Sequence, residues 1–187
     1  MELDPELRIG IIALDPGGTT GWCASTFKAK HLSTIKQYGL AALDREILAV
    51  KWGEFKGSEN TQIDRICTMV ETGIDSGEVD EIIILIEGFI LRQKRKDPSL
   101  LAPVRVTAKV DYANHRYWQL PLVYQQPSLA KTAMPNARLK RYKMYARGMP
   151  HARDATRHNV TLVRRCAQNI NLLEKILNVS SIAYNGD

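Results

Sequence analysis

Two isoleucine-rich runs, each closed by a carboxylate, constrain this chain more than any other feature. The stretch IIALDPGGTTGW starts at Ile11, places Asp15 at the end of an apolar segment, and continues into a Gly-Gly-Thr-Thr turn. The stretch DEIIILIEGF closes its apolar run on Glu87. Short apolar runs rich in β-branched residues and bounded by turn signals read as buried strands. A carboxylate at the mouth of such a strand, beside a flexible turn, serves either to hold a cation or to help a loop hold phosphate.

The remaining pattern places helices around these strands. Residues 8–14 are expected to form the first strand and GWCASTF the second, with IKQYGLAAL and LAVKWGEF adding one or two more in an antiparallel run. Residues 60–74 carry Ile63, Ile66, Cys67, Val70 and Ile74 at helical spacing. Residues 98–118 read as a second helix, with Pro98 in its first turn and Leu101, Val104, Ala108 and Tyr112 on one stripe. LPLVYQQP is a short strand closed by Pro127, and residues 151–173 form a long last helix announced by Pro150. KGSEN and PNARLKRYK, at 56–60 and 135–143, read as mobile loops, and the polar tail after Leu177 is expected to fray. A meander followed by alternating strands and helices predicts an α/β fold with a mixed sheet flanked by helices. The 187 residues suit a single domain with its core over about 8–175.

Composition narrows the function classes. Twenty-six basic against 20 acidic side chains leave a formal charge of +6. That surplus favours a polyanionic partner, since Lys and Arg on phosphate supply most non-specific nucleic-acid affinity; a merely soluble basic protein is the alternative. Cys23, Cys67 and Cys166 are far apart and form no CxxC pair, so neither a zinc ribbon nor a disulfide framework is indicated and a reducing cytoplasm is the expected compartment. The charged start MELDPELRIG shows no signal peptide, and the longest oily run, IIILI, is too short to span a bilayer.

Adjacent strands would bring Asp15 and Glu87 together despite their separation in the chain. In HARDATRH, His151 and Asp154 are three apart and share a helix face, with His158 on the same side. Packed across the strand ends, that helix would complete a cluster of three carboxylates and an imidazole. Like charges this close raise each other's pKa, and Mg²⁺ or Mn²⁺ removes the conflict because hard cations take carboxylate and water oxygen. Two such ions about 3.5–4 Å apart suit in-line phosphodiester displacement. Taken singly, each residue has a plainer explanation: turn chemistry for Asp15, a solvent-facing strand end for Glu87, a helix-dipole partner for Asp154.

The ordered set of IIALDPGGTTGW, IIILIEGF, LPLVYQQPSLAK and HARDATRH resembles the RuvC-like Holliday-junction resolvases of the ribonuclease H-like superfamily, most of all the small phage versions. The resemblance spans roughly residues 8–163. It implies a ribonuclease H-like fold with a five-stranded mixed sheet, metal-dependent cleavage of four-way DNA junctions, Mg²⁺ or Mn²⁺ with two ions per site, a homodimer, and the host cytoplasm if the protein is phage-encoded. It also implies that Asp15, Glu87 and Asp154 are metal ligands and His151 a fourth ligand or water-orienting group. Lys131 would stabilise charge on the scissile phosphate.

Two basic runs fit a nucleic-acid partner. LRQKRK offers Arg92, Lys94, Arg95 and Lys96 just after Glu87 and Phe89, the latter placed as a wedge at a junction crossover. RLKRYKMYAR interleaves Tyr142 and Tyr145 with cations that include Arg138, Lys140, Arg141 and Lys143. Cations grip phosphate and aromatic faces stack on unpaired bases; solvated loops are the alternative. Two rival functions stand beside junction resolution. One is a nuclease of the same fold acting on flaps or other branched DNA. The other, from a different class, is an actin-like or sugar-kinase-like protein whose Asp15, Gly17, Gly18, Thr19 and Thr20 cradle a nucleotide phosphate.

Overall fold

A computed structural model of the chain describes residues 3–39, 48–88 and 101–182, with side chains to residue 178. Five strands form one mixed sheet in the order β3-β2-β1-β4-β5. Strands β1 (Arg8–Asp15), β2 (Thr20–Lys28) and β3 (Ala49–Phe55) pair antiparallel in succession. Strands β4 (Glu81–Glu87) and β5 (Leu122–Gln125) continue the sheet in parallel from β1.

Strand parity sorts the core into two layers. Ile9, Ile11 and Ala13 of β1, with Ile83 and Leu85 of β4, face α1 (His31–Tyr38), α6 (Pro150–Gln168) and α7 (Ile170–Ile182). Ile12 and Leu14, with Ile82, Ile84 and Ile86, face α2 (Glu59–Asp75) and α3 (Ala102–Ala113), where Ile66, Val70, Val106 and Val110 meet them. Burial on both faces explains why these strands are apolar without a break. Asp15 extends the 9-11-13 series and Glu87 the 83-85 series. Alternation therefore sends both carboxylates to the α6 side.

Helix α6 lies unusually tight on the sheet. Asn159 donates from its amide to the carbonyls of Ile11 (3.0 Å) and Cys23 (3.1 Å) and accepts from the Ser25 hydroxyl (2.7 Å). At Gly21, a Cβ would lie 2.0 Å from the His151 carbonyl carbon and 2.1 Å from its oxygen. Only a residue without a side chain lets the first turn of α6 rest on β2.

Several expectations need correction. IKQY belongs to α1, not a strand: Leu32 and Ile35, three apart, are its buried anchors, and an apolar window this short does not separate the two periods. Residues 40–43 of that segment, like Pro98, lie outside the described residues. On α3 the buried face is Ala102, Val106, Val110 and Ala113. The stripe of Leu101, Val104, Ala108 and Tyr112 is real but faces solvent, with Tyr112 63% exposed. A π-helical turn, Asn114–Trp118, ends α3; the Asn114 side chain then brackets Leu120 and directs the chain into β5.

PNARLKRYK is not a loop: α4 (Pro127–Ala133) is followed by α5 (Asn136–Arg141), seated by buried Leu139. KGSEN holds Ser58, whose hydroxyl accepts from the Thr61 amide and caps α2. The last helix is two, broken at Asn169 (φ −142°, ψ 94°), and the second continues through Ile182 where fraying was expected.

Candidate metal centre

Asp15, Glu87 and Asp154 each bring an oxygen to one place, all within 4.8 Å of one another. The sheet supplies the first two from adjacent parallel strands, in which Leu14 pairs with Ile86. Helix α6 supplies the third. Its start is held by Glu54 of β3, whose carboxylate accepts from the His151 backbone N–H at 3.1 Å and so satisfies one free donor of the helix end.

Each carboxylate has a cationic or imidazole neighbour. His151 Nδ1 lies 2.9 Å from Asp15 Oδ2, and Lys131 Nζ of α4 lies 3.4 Å from Asp154 Oδ2. The Arg157 guanidinium bonds Asp154 and also donates to the Met134 carbonyl (3.0 Å) and the Asn136 side chain. His158 Nε2 lies 3.1 Å from Glu87 Oε2. Glu54, Arg157 and Gln125 escaped the sequence reading, because each acts through register or a turn that no spacing rule reveals. His158 was placed on the right helix face without a partner.

The electrostatics differ between the strand carboxylates. Burial pushes the Asp15 carboxyl above the usual range and the Glu87 charge adds to this, against the opposing bond to His151. Burial would also raise Glu87, but the His158 hydrogen bond and the Lys131 charge outweigh it and hold Glu87 below its ordinary value. The Asp15 hydrogen bond raises His151. Three carboxylate oxygens at this separation form a hard donor set, the kind that Mg²⁺ and Mn²⁺ take.

The other candidate residues divide. Phe89, Arg92, Lys94, Arg95 and Lys96 lie outside the described residues. Arg138 is half-buried and donates to the Ala133 carbonyl, closing the α4–α5 corner. Lys140, with its Nζ 5.0 Å from the Tyr145 ring centroid, Arg141 and Lys143 are exposed. Tyr142 is partly buried against the core. The Gly-Gly-Thr-Thr turn is already occupied by protein: Gln62 donates to the Gly18 carbonyl (3.0 Å) and accepts from the Thr20 hydroxyl (2.6 Å). No helix among the described residues is long and apolar enough to cross a membrane.

No protein-family model and no curated protein sequence matches the chain. Among solved structures it is similar to Thermus thermophilus RuvC in complex with a Holliday-junction substrate, at 14% identity over 86% of this chain and 96% of that one, with a TM-score of 0.55. A second Thermus thermophilus RuvC structure aligns at 14% identity over 85% and 96%, with a TM-score of 0.47. The mixed five-stranded sheet flanked by helices is a RuvC-like, ribonuclease H-like α/β fold.

Proposed function

We propose that the chain is a metal-dependent, structure-selective DNA endonuclease that resolves four-way junctions, of the small type found in phages. The convergence of Asp15, Glu87 and Asp154 within 4.8 Å, on a fold shared with a junction-bound RuvC, is the observation that supports it. Asp15, Glu87 and Asp154 would hold Mg²⁺ or Mn²⁺, two per site, with His151 as a further ligand or water-orienting group. Bound ions of this kind supply Lewis acidity to a water nucleophile and to the scissile phosphate. Lys131 is exposed and near Asp154, so its ammonium is free to turn to a phosphate oxygen as charge builds there. Lys140, Arg141 and Lys143 would grip the flanking backbone.

A homodimer would match the two-fold symmetry of a four-way junction. The apolar stripe that α3 leaves in solvent offers it a surface. Branched DNA in the cytoplasm, the host cytoplasm for a phage protein, would be the substrate.

Cleavage of synthetic four-way, flapped and linear duplexes with each divalent ion tests the reading. Four-way junctions are expected to be cut in Mg²⁺ or Mn²⁺, and Asp15→Asn to abolish cutting while junction binding persists. Preferential cutting of flaps would move the substrate. Cutting by Asp15→Asn at the parental rate would overturn the site.

A further inference from the structure

His158 takes no part in the chemistry proposed for the metal centre. His158 is 1% exposed, yet it is bonded at both ring nitrogens: Nε2 to Glu87 at 3.1 Å and Nδ1 to the Gln125 amide at 2.8 Å. Gln125, 3% exposed, is the direct partner of Glu87 across β4 and β5, so their side chains leave the sheet on the same face. His158 bridges them from α6.

With a neutral ring, the hydrogen bonds of this chain of groups run in one direction. An ionised Glu87 accepts only, so Nε2 donates to it. A neutral imidazole then presents a lone pair at Nδ1, which needs a donor. The Gln125 amide supplies one when its NH₂ end faces the ring. With the carbonyl end facing the ring, Gln125 Nε2 is buried without a partner. A half-turn of the amide, whose two ends are nearly the same shape, turns Nε2 to the ring, leaves Oε1 in its former place, and sets the donor direction Gln125 to His158 to Glu87.

We propose that His158, backed by Gln125, is a positioning residue that fixes the Glu87 carboxylate in its metal-facing orientation. The inference rests on the metal-centre reading. His158 is too buried to touch DNA or solvent and acts only through Glu87. It bonds Oε2 of a carboxylate that also belongs to the acidic trio. Outer-sphere partners of this type contribute about 10–100-fold to metal affinity.

Mn²⁺ titration of the full chain followed by electron paramagnetic resonance tests the inference, with melting temperature measured alongside. His158→Leu should weaken Mn²⁺ binding about 10–100-fold. His158→Gln, which keeps an N–H donor, should recover most of that loss. Gln125→Met, which leaves the imidazole in place but removes its backing, should fall between. In a Glu87→Gln background, His158→Leu should cost nothing further. Wild-type affinity in folded His158→Leu or Gln125→Met would overturn the inference. So would an equal loss in both backgrounds, which marks a merely structural residue. A wild-type chain that binds no Mn²⁺ would instead overturn the metal centre itself.

Discussion

Replacing Gly21 by alanine adds one methyl group between β2 and the first turn of α6. The new carbon would sit 2.0 Å from the His151 carbonyl carbon and 2.5 Å from the Ala152 nitrogen. All the atoms it meets are backbone, so no side chain can swing aside. Ordinary carbon contacts lie near 3.5 Å, so the helix start must retreat by about 1.5 Å. Overpacking of this kind costs about 1–3 kcal/mol. At this chain length each kcal/mol moves the melting temperature by about 2–4 °C, so a drop of ~2–12 °C is expected.

The retreat carries His151 and Asp154 away from Asp15 and Glu87. Misplacement by about 1 Å commonly costs some 100-fold in rate, so cleavage should fall by about that factor. Gly18→Ala is the control, because a Cβ there meets nothing within 4 Å. Calorimetric melting and single-turnover cleavage of a labelled four-way junction read the two effects. If Gly21→Ala melts and cuts like the parent, the close seating of α6 does not set the site.

Other outcomes follow from the electrostatics. Burial raises Asp15, so the folded state holds its proton more tightly than the unfolded chain, and stability falls as pH rises through the raised value. Asp15→Asn should therefore melt higher than the parent at neutral pH in EDTA, an advantage that fades in acid; a lower melting temperature would show that the charge is favourable as it stands. His151 is raised by Asp15, so its stabilising charge is present below its ordinary pKa and lost as pH rises through the raised one. His151→Ala should remove that alkaline loss and release fewer protons per Mn²⁺ bound, measured by titration calorimetry in buffers of different ionisation enthalpy; unchanged proton release would mean that the imidazole is not displaced. Lys140, Arg141 and Lys143 changed together to alanine should lower the salt slope of junction binding by up to about 0.9 per lost phosphate contact. An unaltered slope would turn that surface away from DNA.

The legible part of the site rested on apolar runs closed by a carboxylate. Asp15 ends the isoleucine-rich run and so marks the end of β1. The same holds for Glu87. What stayed hidden depends on pairing between distant segments. Gln125 matters because β5 aligns it with Glu87, and Glu54 because it reaches the His151 amide. Arg157 matters because α4 and α5 bring Met134 and Asn136 to its guanidinium. On α3, two apolar stripes compete, and spacing alone does not say which one meets the sheet.

The carboxylate trio is divided between the sheet and a helix that the ribosome makes late. Asp15 and Glu87 are in place once β1 and β4 have paired, but Asp154 arrives only with α6. A nascent chain that ends between Glu87 and α6 holds two of the three acids and lacks the Asn159 clamp that seats the third. Order of synthesis thus withholds the trio: a stalled or truncated product ending before α6 cannot assemble it.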